Sequence, residues 1–375
     1  MDRSPQLHFR PDGTFHLMQV TDAQERLDFS PDTLKLLETA LDREKPDLVV
    51  FTGDQIMGYG RCFRGPYRET KVRQAIQTLL RPLTERKIPF SVTFGNHDCQ
   101  CGISNEEQLA IYRENPFYVP GIPGPTAGTA CLPVLRSDSV NRAFAIYLLD
   151  SGGDAAGGGY EAPPSPVLAW YRRTRDRLAD EQGGAPLPAL VFQHIPLPEY
   201  YQVLQQVPKN TKGAVRAFRT HQNKWYRIPQ SANRPDNRLG EPPSIPDQNT
   251  GEWELLAERG DVFGVFCGHD HKNSFVLPYR GMDLGYCPSC GFHVYGPGVA
   301  RGVRTFVLRE DAPRDYKTHV LTFRELCGSR VHQPVADFLY SRCPATKEDA
   351  LHMLRNLFIG IAAVSASIFL LCWLL

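Results

Sequence analysis

The sequence predicts an α/β fold, because short apolar runs with the length of buried strands alternate with segments of helical spacing. His16–Val20, Leu48–Phe51 and Ile88–Phe94 are such runs, and each is followed by a polar loop. Between them, apolar side chains recur at helical spacing over Pro31–Glu44 and Lys71–Arg81. A strand–helix–strand–helix–strand order is typical of parallel strands joined by crossover helices.

The second half of the chain continues this pattern. A helix is predicted at Pro166–Ala179, and Pro82 is expected to end or kink the earlier helix at Lys71–Arg81. The polar stretch 200–250 is either a lid that contributes to substrate selectivity or a mobile surface insertion. The further predicted strands are Ala143–Leu149, Leu187–Phe192, Asp261–Cys267, Ser274–Leu277, His293–Tyr295, Arg304–Leu308 and His319–Phe323.

Size and charge narrow the possible functions. The 375 residues, 42% of them hydrophobic, suffice for one large domain or a domain with an appendage. The formal net charge is only +1, whereas binding to a phosphate backbone needs a basic face. No nucleic-acid partner is therefore expected.

The ten cysteines are expected to be free thiols, because the sequence begins without an apolar export segment and a reducing compartment is then the default. Two pairs, Cys99 with Cys101 and Cys287 with Cys290, are an alternative structural zinc site. The first pair is spaced too tightly for the usual arrangement. Small buried apolar residues or surface thiols are the favoured interpretation.

The C-terminal segment has a different composition from the rest. Residues 357–375 carry no charged side chain and would span about 28 Å as a helix, close to the hydrocarbon thickness of a bilayer. Lys347 and Arg355 precede this run and no basic residue follows it, which predicts a cytoplasmic main domain. The predicted organisation is a main domain at 1–327, a linker at 328–353 and a transmembrane tail anchor at 354–375.

Four short polar motifs each follow a predicted strand. They are Gly53-Asp54, Gly95-Asn96-His97-Asp98, Gln193-His194-Ile195-Pro196 and Gly268-His269-Asp270-His271. The carboxyl ends of strands are where α/β sheets place their ligands. Asp, Asn and His side chains supply the oxygen and nitrogen donors that bind Zn, Mn or Fe. The four motifs together therefore predict a metal site at one edge of the fold.

The order of these motifs resembles that of the calcineurin-like metallophosphoesterase superfamily, which runs Asp-x-His, Gly-Asp, Gly-Asn-His-Asp/Glu, His and Gly-His-x-His. Gln193–Pro196 and the stretch Gly291–Gly296 are similar to the branch of small, atypical purple acid phosphatases. The resemblance covers residues 16 to 310 approximately. It implies a four-layer α/β/β/α sandwich and hydrolysis of a phosphoester by a hydroxide that bridges two metal ions, Mn, Fe or Zn.

The resemblance also implies a role for each motif residue. Asp54 bridges the two ions, and His97 protonates the leaving oxygen while Asp98 orients its ring. The expected substrate is a phosphorylated small molecule, lipid or phosphoprotein. The remaining ligands are divided between the ions, with Asp22 and His271 on one and Asn96, His194 and His269 on the other.

Two positions depart from the family pattern. Gln24 occupies the place of the first motif's His, and an amide oxygen is a weaker ligand than imidazole. Glu25 could replace it if the loop were shifted. Met57 stands where purple acid phosphatases carry a Tyr, and Tyr59 is out of register, so no ferric–tyrosinate site is expected. Gln24 keeps open an alternative function, a membrane-tethered binding or scaffold protein on a catalytically weakened fold.

Overall fold

The computed structural model describes residues 5–345, 350–351, 353–356, 358–361 and 364–365. The described helices are α1 Pro31–Glu44, α2 Arg68–Glu85, α3 Asn105–Arg113, α4 Ser165–Asp180, α5 Glu252–Ala257, α6 Phe323–Cys327 and α7 Pro334–Arg342. The described strands are β1 Leu7–His8, β2 Thr14–Val20, β3 Leu48–Thr52, β4 Phe90–Thr93, β5 Ile122–Pro123, β6 Ala130–Leu135, β7 Arg142–Leu148, β8 Ala189–Phe192, β9 Gln205–Val207, β10 Val215–Arg216, β11 Trp225–Arg227, β12 Val262–Cys267, β13 Val276–Tyr279, β14 Met282–Tyr286, β15 Gly302–Arg309 and β16 Lys317–Thr322.

The first sheet has the order β16-β15-β2-β3-β4. Its strands β2, β3 and β4 are parallel, and α1 and α2 connect them as the sequence predicts. Val20 pairs with Phe51, and Thr52 pairs with Thr93, so the three strands end at nearly the same level. The loops that follow β2, β3 and β4 therefore emerge side by side.

The second sheet has the order β1-β6-β7-β8-β12-β14-β13, with β5 paired to β6. Here β7, β8, β12 and β14 are parallel to one another, whereas β6 and β13 are antiparallel to β7 and β14. Phe192 at the end of β8 pairs with Phe266 near the end of β12. The polar motifs that begin at Gln193 and Gly268 consequently leave this sheet at one edge.

The two sheets pack face to face with helices on both outer sides. Phe15, Phe144, Phe192, Phe266 and Phe306, which come from both sheets, form part of the core between them. A second core packs α1, α2 and α3 on the first sheet, and a third packs α4 and α5 on the second. This is the α/β/β/α arrangement that the resemblance implies, and it buries both faces of each sheet.

The first helix shows how the local sequence sets the element. Ser30 caps α1 by accepting the backbone N–H of Thr33, and Pro31 occupies the first helical position. Leu36, Leu37, Ala40 and Leu41 form its buried face. The predicted bounds of this helix are confirmed.

Several sequence expectations need correction. Among the described residues, no helix is long and apolar enough to cross a membrane, so the predicted transmembrane helix at 354–375 is wrong for this part of the chain. Residues 357, 362–363 and 366–375 of that segment lie outside the described residues. Its expected cytoplasmic orientation stays a prediction.

Two further segments differ from expectation in their local structure. The predicted linker 328–353 contains α7, and the polar stretch 200–250 contains the small sheet β10-β11-β9. Tyr201 and Tyr226 of this stretch are buried in the core that carries α4, so the stretch is anchored to the main domain. Pro82 lies inside α2, which continues to Glu85, so Pro82 does not end this helix. Its missing N–H removes one hydrogen bond of the helix.

Candidate metal centre

The predicted ligands come together where the two sheets meet at their carboxyl edges. The loops after β2, β3 and β4 contribute from the first sheet, and the loops after β8 and β12 contribute from the second. His194 Nδ1, for example, lies 2.9 Å from the carbonyl oxygen of Thr52 on the opposite sheet. The side chains that meet there are Asp22, Asp54, Asn96, His194, His269 and His271, all of them buried.

Short distances between these side chains define the centre. One donor atom from each of Asp22, Asp54 and His194 lies within 4.8 Å of the other two. His194 Nε2 is 3.3 Å from Asp54 Oδ2 and 3.2 Å from His269 Nδ1. On the other side, His271 Nε2 is 3.3 Å from Asp22 Oδ1. Carboxylate oxygens and imidazole nitrogens therefore converge on one small space.

Backbone carbonyls determine which nitrogen each imidazole turns toward this space. His194 Nδ1 donates to Thr52 O at 2.9 Å, and His271 Nδ1 donates to Tyr295 O at 2.7 Å. A nitrogen that donates to a carbonyl carries a hydrogen, which leaves Nε2 as the nitrogen of each ring that faces the carboxylates. Nε2 is therefore the atom that each of these two rings could offer to a metal ion.

Three buried side-chain atoms of the predicted metal ligands have no hydrogen-bond partner. They are Asp22 Oδ1, Asn96 Oδ1 and His269 Nε2. The other polar atoms of the same groups are satisfied: Asp22 Oδ2 accepts the His269 backbone N–H at 2.9 Å, and Asn96 Nδ2 donates to Asp154 at 2.9 Å. Buried polar atoms without partners are uncommon and need an explanation. Asp22 Oδ1 lies 3.3 Å from His271 Nε2, and metal ligation would satisfy it, so the residues present fit a metal site.

The electrostatics of the centre favour a bound cation. Burial alone would raise the pKa of Asp54, but the His194 and His97 rings hold that pKa well below its usual range. Burial alone would lower the pKa of His194, but Asp54 raises it to about 10. The carboxylates thus retain a positive charge beside them. A bound metal ion would supply such a charge and would displace a proton from the His194 ring.

The backbone of the centre is strained. Asp22, Gln24, Asp54 and His269 all have positive φ angles, of 51°, 38°, 55° and 72°. Non-glycine residues in this region are uncommon and cluster at functional sites. Gly95 is required for a different reason, since a Cβ there would collide with the Asp54 carboxylate and the His194 ring.

Gln24 lies in the centre but presents its N–H group to it. Its Nε2 donates to Asp54 Oδ2 at 2.8 Å and lies 3.3 Å from His271 Nε2. Its oxygen accepts a hydrogen bond from the Tyr59 hydroxyl at 2.9 Å. Ligation by the Gln24 oxygen, the predicted weak contact, would require the amide to turn over.

Glu25 is not available as a substitute ligand. Its carboxylate accepts the Thr33 hydroxyl at 2.5 Å and the Ser30 backbone N–H at 2.9 Å, and it lies 2.8 Å from His293 Nδ1. These contacts tie the loop after β2 to the start of α1. Ligation by Glu25 through a loop shift would require these contacts to break.

Asp98 does not contact the His97 ring, contrary to its predicted role. Its two oxygens accept backbone N–H groups instead, from Asp54, Gly95 and Gln55 at 2.8 Å each and from Ile56 at 3.3 Å. The carboxylate is therefore committed to shaping the turn that carries Asp54. The chain direction after His97 explains the difference, because it turns Asp98 inward while His97 remains near the surface.

His97 is held by residues that sequence reasoning missed. Its Nδ1 lies 2.9 Å from Gln100 Oε1, and the Tyr59 ring packs edge-on against it with centroids 4.8 Å apart. The Gln100 amide in turn donates to Asp154 at 2.7 Å. Asp154 belongs to a glycine-rich stretch, residues 152–159.

Aromatic rings from distant segments surround the histidine ligands. Tyr160 packs edge-on against His269 with centroids 4.3 Å apart, and it stacks with Phe218 of the polar stretch 200–250. Tyr295 stacks on His271 at 4.2 Å with nearly parallel planes. The sequence predicts Tyr295 at the end of a strand and assigns neither Tyr160 nor Tyr295 to the site.

The four cysteines of the alternative zinc site are free thiols, as the favoured interpretation predicts. Cys287, Cys290 and Cys101 are buried and free, while Cys99 is exposed and free. Among the described residues, the side chains that form a cluster of three His, Cys, Asp or Glu ligands close enough to hold a metal ion are Asp22, Asp54 and His194. The histidine and carboxylate centre is thus the metal-site candidate in that part of the chain.

Comparison with known proteins identifies the family. The calcineurin-like phosphoesterase family profile matches residues 15–273, well over half of the chain. The protein belongs to this family, which confirms the resemblance in the motifs and implies phosphorylated substrates in general. All six predicted ligands lie within the matched range.

The chain is also similar to individual proteins. "Probable inactive purple acid phosphatase 14" of Arabidopsis thaliana is 28% identical over 342 residues, covering 80% of this chain and 76% of that protein. "Probable inactive purple acid phosphatase 29" of the same plant is 28% identical over 345 residues, covering 80% and 78%. A solved dimetal phosphatase from Danio rerio aligns with a TM-score of 0.48 and 14% identity, covering 82% of this chain and 98% of that one.

Proposed function

We propose that the protein is a metal-dependent phosphoester hydrolase with two metal ions at the centre described above. The observation that carries the proposal is the set of unpartnered buried donor atoms, Asp22 Oδ1, Asn96 Oδ1 and His269 Nε2. They belong to the loops after β2, β4 and β12, which the fold brings to one edge of the two sheets. A purely structural role would leave them unsatisfied at a cost of several kcal/mol in total, since each such atom costs about 1–3 kcal/mol.

The positions of the ligands support a two-ion arrangement with Asp54 in the middle. Asp22 and His271 lie together on one side of it, at 3.3 Å from each other. His194 and His269 lie together on the other side, at 3.2 Å. Asp54 contacts His194 directly and approaches His271 through Gln24. A carboxylate so placed can bridge two ions.

Two ions of Mn, Fe or Zn would supply a hydroxide nucleophile from water at neutral pH and offset the charge of the phosphate. Asn96 adds a ligand oxygen without adding negative charge, which favours an anionic substrate. His97 Nε2 lies 4.0 Å from Asp54 Oδ2, and its side chain is 31% exposed. His97 therefore stands between the centre and solvent, where it can protonate the leaving oxygen without forming a covalent bond to the substrate.

The surroundings of the centre suit a phosphorylated molecule with an apolar part. Tyr59 is 40% exposed beside His97, and Tyr160 with Phe218 stands beside His269. The substrate is accordingly a phosphorylated small molecule, lipid or phosphoprotein. An apolar group next to the phosphate would pack on these rings.

A second candidate is a binding protein on the same fold with little or no turnover. Gln24 favours it, because an amide donates to Asp54 where imidazole would ligate. The two plant relatives are named as inactive, which favours it as well. The six remaining ligands and His97 are all present in this chain, and this favours the hydrolase.

The two candidates differ in a direct assay. The purified full chain would be supplied with Mn, Fe or Zn and tested on p-nitrophenyl phosphate and bis(p-nitrophenyl) phosphate. Asp54→Asn removes the candidate bridge, and Asp180→Asn removes an exposed carboxylate at the end of α4 as a matched control. Metal-stimulated hydrolysis that is lost only in Asp54→Asn supports the hydrolase. Metal binding without hydrolysis of either substrate would support the binding protein.

A further inference from the structure

We propose that Asp154 is a positioning residue that sets the side-chain orientation of both Asn96 and His97. The inference builds on the proposed function, because it concerns a ligand and the proton donor of that centre. Asp154 is exposed and lies 58 residues from Asn96 in sequence. Its two carboxylate oxygens serve two different partners, so one residue controls two parts of the site.

The first partner is Asn96. Asp154 Oδ1 lies 2.9 Å from Asn96 Nδ2. An ionised carboxylate only accepts hydrogen bonds, so the Asn96 atom that faces it must be the NH₂ group. The Asn96 oxygen is thereby turned the other way, where it is buried and has no hydrogen-bond partner. Asp154 thus sets the orientation of the Asn96 amide, and the buried oxygen is the atom that Asn96 can offer as a ligand in the proposed centre.

The second partner is His97, reached through Gln100. Asp154 Oδ2 lies 2.7 Å from Gln100 Nε2, and by the same reasoning this Gln100 atom must be the NH₂ group. The Gln100 oxygen then faces His97 Nδ1 at 2.9 Å, so Nδ1 must carry a hydrogen. The other ring nitrogen, Nε2, is the one that faces the centre and exchanges a proton with the substrate.

The loop that carries Asp154 is held against the centre by its own contacts. Asp154 and Tyr160 form an antiparallel β-bridge, and Ala155 N donates to Gly159 O at 3.0 Å. Tyr160 packs against the His269 ring. The carboxylate is therefore presented from a closed loop that also touches a metal ligand, which limits its freedom to turn away.

Three variants separate the two roles. Asp154→Asn keeps the shape but offers only one acceptor atom to two NH₂ groups. Gln100→Leu removes the link to His97 and leaves the Asn96–Asp154 hydrogen bond in place. Glu161→Gln is the matched control, since it removes an exposed carboxylate from the end of the same loop without touching Asn96 or Gln100. Each variant is compared with the unaltered full chain.

Metal affinity, measured with Mn by competition with a chelator, reports the Asn96 role. We expect about 10- to 100-fold weaker binding in Asp154→Asn, the usual cost of losing a residue that orients a ligand. Gln100→Leu and Glu161→Gln should bind Mn as the unaltered protein does. Unchanged affinity in Asp154→Asn would overturn this part of the proposal.

Two measurements report the His97 role. NMR of ¹⁵N-labelled histidine shows directly which ring nitrogen carries the hydrogen, and we expect the Nδ1–H form of His97 to be lost in Asp154→Asn and Gln100→Leu. With metal-loaded protein, both variants should lose more activity on phenyl phosphate, a poor leaving group, than on p-nitrophenyl phosphate. Equal losses on the two substrates, or an unchanged tautomer, would overturn the His97 role.

The outcomes also separate this inference from the proposed function. If the unaltered protein binds Mn but hydrolyses neither phenyl phosphate nor p-nitrophenyl phosphate, the hydrolase proposal fails. The affinity and NMR results still decide the role of Asp154 in that case. If the protein is active and Asp154→Asn matches Glu161→Gln in affinity, tautomer and substrate preference, the inference fails and the hydrolase stands.

Discussion

Asp98 Oδ2 accepts the backbone N–H of Asp54 at 2.8 Å, so the last residue of the Gly-Asn-His-Asp motif holds the turn of the Gly-Asp motif. Three more backbone N–H groups donate to the same carboxylate. Two motifs that are 44 residues apart in sequence are thereby joined into one unit. The unit places Asp54 in its strained left-handed conformation beside the other ligands.

Asp98→Asn should therefore act on stability first. The amide offers one acceptor oxygen and turns an NH₂ group toward backbone donors, so charge-assisted hydrogen bonds are lost. We expect the free energy of unfolding in urea to fall by roughly 3 kcal/mol, since a hydrogen bond to a charged group contributes about 1.5–3 kcal/mol. Unaltered stability with reduced activity would instead favour the role that the sequence predicts for Asp98, orienting His97.

His97→Ala should act on turnover and leave the fold unchanged. The side chain is partly exposed and holds no buried element in place. Loss of a general acid slows the reaction by about 10²- to 10⁴-fold. Steady-state kinetics should show this fall in kcat, while the metal content and the Tm match the unaltered protein. A variant that keeps full kcat would exclude the proton-donor role.

Gln24→His should strengthen metal binding. The position lies between Asp54 and His271, and imidazole is a better ligand than an amide for Mn, Fe or Zn. We expect a lower Kd in a chelator competition assay, and increased hydrolysis if the weaker of the two sites limits activity. Gln24→Ala provides the comparison without any ligand atom. If Gln24→His and Gln24→Ala bind metal equally well, position 24 does not contribute to the centre.

Glu252 should make stability depend on pH. It is buried at the start of α5, its Oε1 has no hydrogen-bond partner, and burial together with Glu199 raises its pKa to about 8. Because folding raises the pKa of Glu252, its contribution to stability is fully present below the pKa of the unfolded state, near 4.3, where the carboxyl is protonated in both states. The contribution decreases as the pH rises and is lost above about 8, where the buried carboxyl is charged. Charged Glu252 therefore destabilises the fold under alkaline conditions.

Glu252→Gln should accordingly raise the Tm at pH 8.5 and change it little at pH 5, as measured by thermal unfolding across this range. Glu254→Gln, an exposed residue on the same helix, is the control and should show no such pH dependence. A Glu252→Gln variant with the same Tm difference at both pH values would show that Glu252 does not titrate in this range.

Patterns that depend on near neighbours could be predicted from the sequence. The bounds of α1 follow from Ser30, Pro31 and the apolar spacing behind them. The four motifs identified the family, and the structure brings their polar side chains into one centre. Their roles as ligands stay a prediction that the metal measurements below test.

Contacts between distant segments could not be predicted. The stretch His293–Tyr295 was expected to be a strand, but the buried Arg301 guanidinium lies within hydrogen-bonding distance of the carbonyls of Val294 and Tyr295, and the stretch is a loop. Asp154 is an exposed residue in a glycine-rich loop, and no local pattern connects it to Asn96. In each case a side chain far away in sequence decides the local structure.

The metal content of the purified full chain, measured by elemental mass spectrometry after resupply with Mn, Fe or Zn, tests the proposed two-ion centre most directly. We expect two equivalents in the unaltered protein and in Asp180→Asn, and a clear loss in an Asp54→Asn variant that retains its Tm, as that centre requires. A folded protein that takes up no metal, or an Asp54→Asn variant that retains both equivalents, would contradict it.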